Sequence, residues 1–178
     1  MAITRLGGAT AITGTIPQGN IANTSLGAVT ALPGAIATGK VLSVNQSLIT
    51  STTSTSSNGT YVDTGLSVTI TPASSSSKFV LLLNLASVSV ASSSTSAMSV
   101  MLYRDSTDIA QTTNFLYQIA NHDQGYFTLG IQKLDAPNTA SQVVYKAQFK
   151  NRESNYVRFN SYGDNTSTLT VIEVASWL

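Results

Sequence analysis

The stretch "TGLSVTITPASSSSKFVLLLNLASVSV", Thr64–Val90, decides how the rest of this chain is read. Its first part alternates strictly. Leu66, Val68 and Ile70 fall on one side of an extended chain, and Ser67, Thr69 and Thr71 on the other. That is the period-two pattern of a strand with one dry face and one wet face. Pro72 and the serines that follow it interrupt the pattern with turn chemistry. "KFVLLLNL" comes next and is apolar on both sides: Phe79, Leu81, Leu83 and Leu85 on one, Val80 and Leu82 on the other. The segment reads as two antiparallel strands joined by the Pro72–Ser77 turn. Val88 and Val90 have the parity of Val80, so a bulge near Ala86–Ser87 is needed to return them to the core face.

The same alternation runs outward in both directions. "KVLSVNQSLI" opens a domain at residue 40, and "AMSVMLY", "YFTLGIQKL", "QVVYKAQF", "NYVRFNSY" and "TLTVIEVASW" continue it. All are rich in β-branched and aromatic residues. Turn-forming clusters separate them: "SSNGT", "RDSTD", "DAPNTAS", "KNRESN" and "GDNTS". The one ambiguous stretch is "IAQTTNFLYQIANHD", residues 109–123, which fits a strand and loop or a short helical turn. The expected fold is all-β, an antiparallel β-sandwich of jelly-roll type forming a knob over residues 40–178.

Several strands carry apolar residues on both faces, whereas a two-layer sandwich dries one face of each sheet. Val80 and Leu82, and likewise Met101 and Tyr103 opposite Met98, Val100 and Leu102, therefore call for a second cover. The chain's own loops, its N-terminal arm or a neighbouring subunit could supply it, and the expectation is a homo-oligomer that uses these residues as its interface.

Residues 1–39 differ in kind. They hold most of the glycines, one charged residue (Arg5) and no aromatic residue. Isoleucine and leucine recur singly, at Ile3, Leu6, Ile12, Ile16, Ile21 and Leu26, with glycine and proline breaking every helical register. A polar flexible linker does not need these side chains. An extended N-terminal arm that docks on another protein does. The same glycines and prolines interrupt any continuous apolar run, so no signal peptide is expected here.

Composition excludes much chemistry. Nine basic and eight acidic residues give a net charge of +1, without the basic stripe of a nucleic-acid binder. Charged residues make up 10% of the chain, and serine, threonine and asparagine supply its polarity. There is no cysteine and one histidine, His122, so neither a thiolate site nor a histidine-rich zinc site is expected. No segment reaches the ~20 apolar residues of a membrane helix. Asp63, Asp105, Asp135 and Asp164 read as turn residues, and Glu173 as an outward strand residue or one with a basic partner. No cofactor motif, metal motif or nucleophile elbow occurs, and no enzymatic activity is expected. The recognition patch to expect is "NFLYQIANHDQGYF", residues 114–127. Tyr117 and Tyr126 offer rings, and Asn121, His122 and Asp123 offer polar groups suited to a cell-surface glycan.

One resemblance adds to this. "STSSNGTYVDTGLSVTITPASSSSKFVLLLNLASVSV", "YRDSTDI", "LDAPNTASQVVYKAQF" and "STLTVIEV", in that order and spacing, resemble a domain of structural proteins of tailed bacteriophages, marine and cyanobacterial ones above all. The opening "MAITRLGGATAITGTIP" looks like the start of such a virion protein. The resemblance implies a trimeric β-rich knob at the virion surface, fixed to other virion proteins by its N-terminus. It implies no catalytic residues. Two roles follow from it: a short tail fibre contacting the host, or a capsid decoration protein cementing the shell.

Overall fold

The computed structural model describes residues 41–90, 96–113, 117–118, 125–153 and 155–176. The chain divides into two units, Met1–Ala37 and Thr38–Leu178. The residues named for docking, Ile3, Leu6, Ile12, Ile16, Ile21 and Leu26, lie outside the described residues.

The described chain is all-β. Its strands are β1 (Val41–Ile49), β2 (Thr53–Thr55), β3 (Val62–Ile70), β4 (Lys78–Val90), β5 (Ser96–Arg104), β6 (Thr107–Thr112), β7 (Tyr117–Gln118), β8 (Phe127–Asp135), β9 (Val143–Asn151), β10 (Val157–Phe159) and β11 (Ser167–Val174). They form two antiparallel sheets. The larger runs β1-β11-β4-β10-β2, with β8 also paired to β4; the smaller runs β3-β9-β5-β6, with β7 paired to β5. The ambiguous stretch 109–123 contributes the end of β6 and all of β7, and the remainder of it from residue 114 lies outside the described residues.

The sheets face each other across one core. Phe79, Leu81, Leu83, Leu85, Leu169 and Val171 enter it from the larger sheet; Leu66, Val68, Ile70, Met98, Val100, Leu102, Tyr145 and Phe149 enter from the smaller. Strand alternation thus places one parity of β3, β4, β5, β9 and β11 in the dry layer, the arrangement of an antiparallel β-sandwich. Rings pack within it: Phe149 meets Phe159 edge-on at 5.3 Å, and Phe79 lies 5.5 Å from Tyr145.

The hairpin expected across Pro72–Ser77 does not form. β3 pairs with β9 in the smaller sheet, while β4 pairs with β11, β8 and β10 in the larger. The segment 71–77 carries the chain from one layer to the other. This gives the change of pattern within Thr64–Val90 a simple cause. β3 is an edge strand whose outer parity, Ser67 and Thr69, is exposed. β4 is central, flanked on both sides, and its outer parity is half-buried by its neighbours.

The expected bulge is present. The β4–β8 register shifts between Leu85 and Val88, and Ser87 has a φ of 47°. Val88 and Val90 are fully buried in consequence. A second irregularity, at Gly65 in β3, was not anticipated. Its φ of 89° accompanies a register shift between Asp63 and Ser67, and Thr64 Oγ1 ties the strand down by donating to Ala147 O at 2.8 Å.

Candidate functional site

Three polar features stand apart from the strand pattern, and the first closes the core. Arg104 and Tyr145 are cross-strand partners on the inner face of the smaller sheet. Both reach Asp135 at the end of β8 in the opposite sheet. Arg104 Nη1 donates to both carboxylate oxygens, at 2.8 and 2.7 Å, and the Tyr145 hydroxyl donates to Oδ2 at 2.8 Å. Burial, and next the bond to Asp135, push the Tyr145 hydroxyl far above its ordinary pKa. Asp135 is therefore not a turn residue; it is 8% exposed and links the two layers. On the other side of Phe79 sits Glu173, 3% exposed. It points inward, not outward. Its carboxylate accepts from Ala73 N at 2.7 Å and Ser43 Oγ at 3.3 Å, because an inward carboxylate at a strand end can borrow a free backbone donor. Each acid is occupied in tying loops or layers together. Among the described residues no group of three His, Cys, Asp or Glu side chains could hold a metal ion.

The second feature is the outer face of the larger sheet. Direct partners in register are Val44 with Ile172, Ile172 with Val80, and Val80 with Leu134. They form one apolar row across β1, β11, β4 and β8. Val44 is 62% and Leu134 52% exposed, with Ile172 and Val80 half-buried between them. β1 is the more telling strand. Leu42, Val44 and Leu48 face outward with Gln46, while Ser43, Asn45 and Ser47 take the other parity with Ile49, which packs against the core. A strand normally turns its apolar parity to its own core. This one turns most of its apolar side chains away.

Of the four residues expected at an interface, Val80 and Leu82 lie on this face, half-buried. Met101 and Tyr103 lie on the outer face of the smaller sheet, the opposite side of the sandwich. The four are not one patch. Met101 is 5% exposed between its cross-strand neighbours Gln111 and Gln148, so its own chain already covers it. Tyr103 is half-buried, with Lys146 Nζ 5.8 Å from its ring centre.

The third feature is an aromatic cleft on β4 at the bulge. A left-handed Ser87 turns its carbonyl out of the ladder, and Ser161 takes it. Ser161 Oγ donates to Ser87 O at 2.6 Å, and Ser161 N to the same oxygen at 3.3 Å. Asn160, 2% exposed, fixes the residue before. Its Nδ2 donates to Ile49 O at 2.8 Å, its Oδ1 accepts from Ser167 Oγ at 2.8 Å, and its N–H donates to Ala86 O at 2.8 Å. The loop after β10 is thereby stitched to the bulge, and Tyr162 is held above it. From the other side of β4, the start of β8 brings Tyr126 and Phe127, with Phe127 paired to Val88. The Tyr126 and Tyr162 rings meet at 5.5 Å and an angle of 38°. Ser87, Tyr126, Phe127, Thr128, Tyr162 and Asn165 line a cleft of about 270 Å³.

Of the five residues expected to recognise a ligand, Tyr126 is in this cleft. The backbone of Tyr117 forms β7 beside Ala97 of β5, and its side chain lies outside the described residues, as do Asn121, His122 and Asp123. Sequence reasoning missed Tyr162 and Asn165. The signal available was a lone tyrosine inside "NSYGDNTS", where turn chemistry leaves a ring no core to enter.

No protein-family model matches this chain, and no curated protein matches it significantly.

Proposed function

We propose that this chain is a bacteriophage virion structural protein, a short fibre or knob that docks to the particle through residues 1–39 and presents its β-sandwich, as a homotrimer, to the host surface. The observation that carries this reading furthest is a polarity. The sandwich begins at Val41, whose partner Val174 is level with Lys78 at the start of β4. The aromatic cleft lies at Ser87, nine residues further along β4, which at ~3.3 Å per residue is about 30 Å away. A chain tethered at one end and carrying an accessible aromatic cleft toward the other has the layout of an attachment module. The outward apolar parity of β1 supports assembly with neighbours, and the resemblance to tailed-phage proteins supports the particle.

A capsid decoration protein is the second reading. It is favoured by the breadth of the apolar row, which crosses four strands and suits packing within a lattice of copies. Mass-spectrometric quantification of the chain in purified particles separates the two. Tens of copies or fewer per particle fit a fibre, and hundreds fit decoration. Absence from particles overturns both.

A further inference from the structure

We propose that the cleft between Tyr126 and Tyr162 is a carbohydrate site for a neutral saccharide, a terminal sugar or disaccharide. This names the ligand of the attachment role above and rests on that role only for where the glycan resides.

Three properties of the cleft point the same way. First, its aromatic surface is offered to solvent. Tyr162 is 71%, Phe127 51% and Tyr126 46% exposed, whereas Phe79, Tyr145, Phe149 and Phe159 are fully buried in the core. The two tyrosine rings meet at 38°, and each offers an apolar face onto which the C–H face of a pyranose stacks as a second ring would. Second, the remaining lining is hydroxyl and amide: Ser87, Thr128 and Asn165. These groups donate and accept, as sugar hydroxyls do. Among the described residues no carboxylate, ammonium or guanidinium lines the cleft, and Asp164, beside Asn165 in sequence, is exposed. A sulfated or uronic sugar would find no cation among these six lining residues. Third, the size is limiting. About 270 Å³ falls just below the ~300–1,000 Å³ of pockets that enclose drug-sized ligands, so the cleft takes one or two rings and leaves the rest of a chain outside.

The platform is also held in place. Ser161, one residue before Tyr162, is bonded to Ser87 by both main chain and side chain, and Asn160 is anchored by several bonds to β1, β4 and β11. The backbone beneath Tyr162 is thus fixed before binding, which lowers the ordering cost of a shallow site. The backbone at Gly125 fits the same design. A Cβ there would overlap the Phe127 ring, so a glycine lets that ring lie against the chain and form the wall of the cleft.

The test uses the full chain on an array of immobilised gluco-, galacto- and manno-configured oligosaccharides and their sulfated and uronic counterparts, followed by solution titration of the best binder. Neutral oligosaccharides are expected to bind. Tyr162→Ala should weaken binding about tenfold and Tyr162→Phe should retain most of it, since the ring face supplies the contact. Asn165→Ala should weaken binding by a smaller factor. Tyr162 is exposed, so an unchanged melting temperature confirms that the variant is folded. Binding of acidic sugars alone, binding undiminished in Tyr162→Ala, or no binding to any oligosaccharide overturns the proposal. The assay contains neither particle nor host. Its failure leaves the copy-number result standing, and absence of the chain from particles leaves a positive titration standing.

Discussion

Replacing Asp135 with alanine tests whether the two layers are fastened where Arg104, Tyr145 and Asp135 converge. The carboxylate receives three hydrogen bonds, two from one Arg104 nitrogen and one from the Tyr145 hydroxyl, all at 2.7–2.8 Å. Removing it strands two groups of different kinds. Arg104 keeps 21% of its side chain exposed and can turn toward water, so its loss falls below the ~3–5 kcal/mol of a fully buried pair, at roughly 2 kcal/mol. Tyr145 is fully buried, and an orphaned hydroxyl costs about 1–2 kcal/mol. The expected loss is near 3 kcal/mol. For a domain of this size it lowers the melting temperature by about 10 °C. Urea unfolding of the wild type, Asp135→Ala, Arg104→Ala and the double variant measures it. The double variant should be less damaging than the two single losses added, with a coupling of about 1–2 kcal/mol. A loss below ~1 kcal/mol for Asp135→Ala, or additivity in the cycle, would refute the view that this trio holds the layers together.

Alkali should act on the same site. The folded state holds the Tyr145 proton well above the ordinary value of 10.0, so unfolded chain releases it first as pH rises past about 10. Stability is then fully present below that pH and falls above it by up to ~1.4 kcal/mol per pH unit for this one group. Tyr145→Phe, measured by denaturant titration from pH 9 to pH 11, should flatten that slope. Leu81→Ala should cost about 3 kcal/mol and Leu82→Ala about 1 in the isolated chain, because Leu81 is fully buried and Leu82 is half-buried on the outer face; equal losses by thermal melting would contradict the strand parity. Val44→Lys should leave the melting temperature within a degree or two and dissociate any oligomer seen by analytical ultracentrifugation, since that side chain projects from the sheet. Gly163→Ala forces a side chain onto a φ of 68° and should cost about 1 kcal/mol while displacing Tyr162, which differential scanning fluorimetry and the oligosaccharide titration read separately.

Period-two alternation located every long strand and the core parity of β3 and β4, because those follow from local chemistry alone. It also foretold the bulge at Ala86–Ser87, since Val88 and Val90 had no other way into the core. Alternation says nothing about which strand pairs with which. The expected β3–β4 hairpin failed for that reason: a turn of Pro72–Ser77 type serves equally to fold a strand back or to cross between layers. Asp135 and Glu173 were misjudged because their partners, Arg104, Tyr145 and Ala73 N, come from distant positions that no spacing reveals. The cleft was half legible. Tyr126 stood out in an aromatic, amide-rich run, whereas Tyr162 acquires its role only when the bulge brings the loop after β10 over β4.

The order β1-β11-β4 has a consequence for how this protein is made. β11 lies between strands that precede it by roughly a hundred residues, so β1 and β4 have no shared partner until residues 167–174 have been synthesised. Until then the growing chain carries two long apolar strands with open hydrogen-bonding edges, the condition under which nascent β chains aggregate. A contact pattern this non-local also folds slowly, on the millisecond-to-second scale. Completion of the larger sheet thus waits for β11 to emerge from the ribosome, and a chain truncated before Ser167 should accumulate as insoluble material.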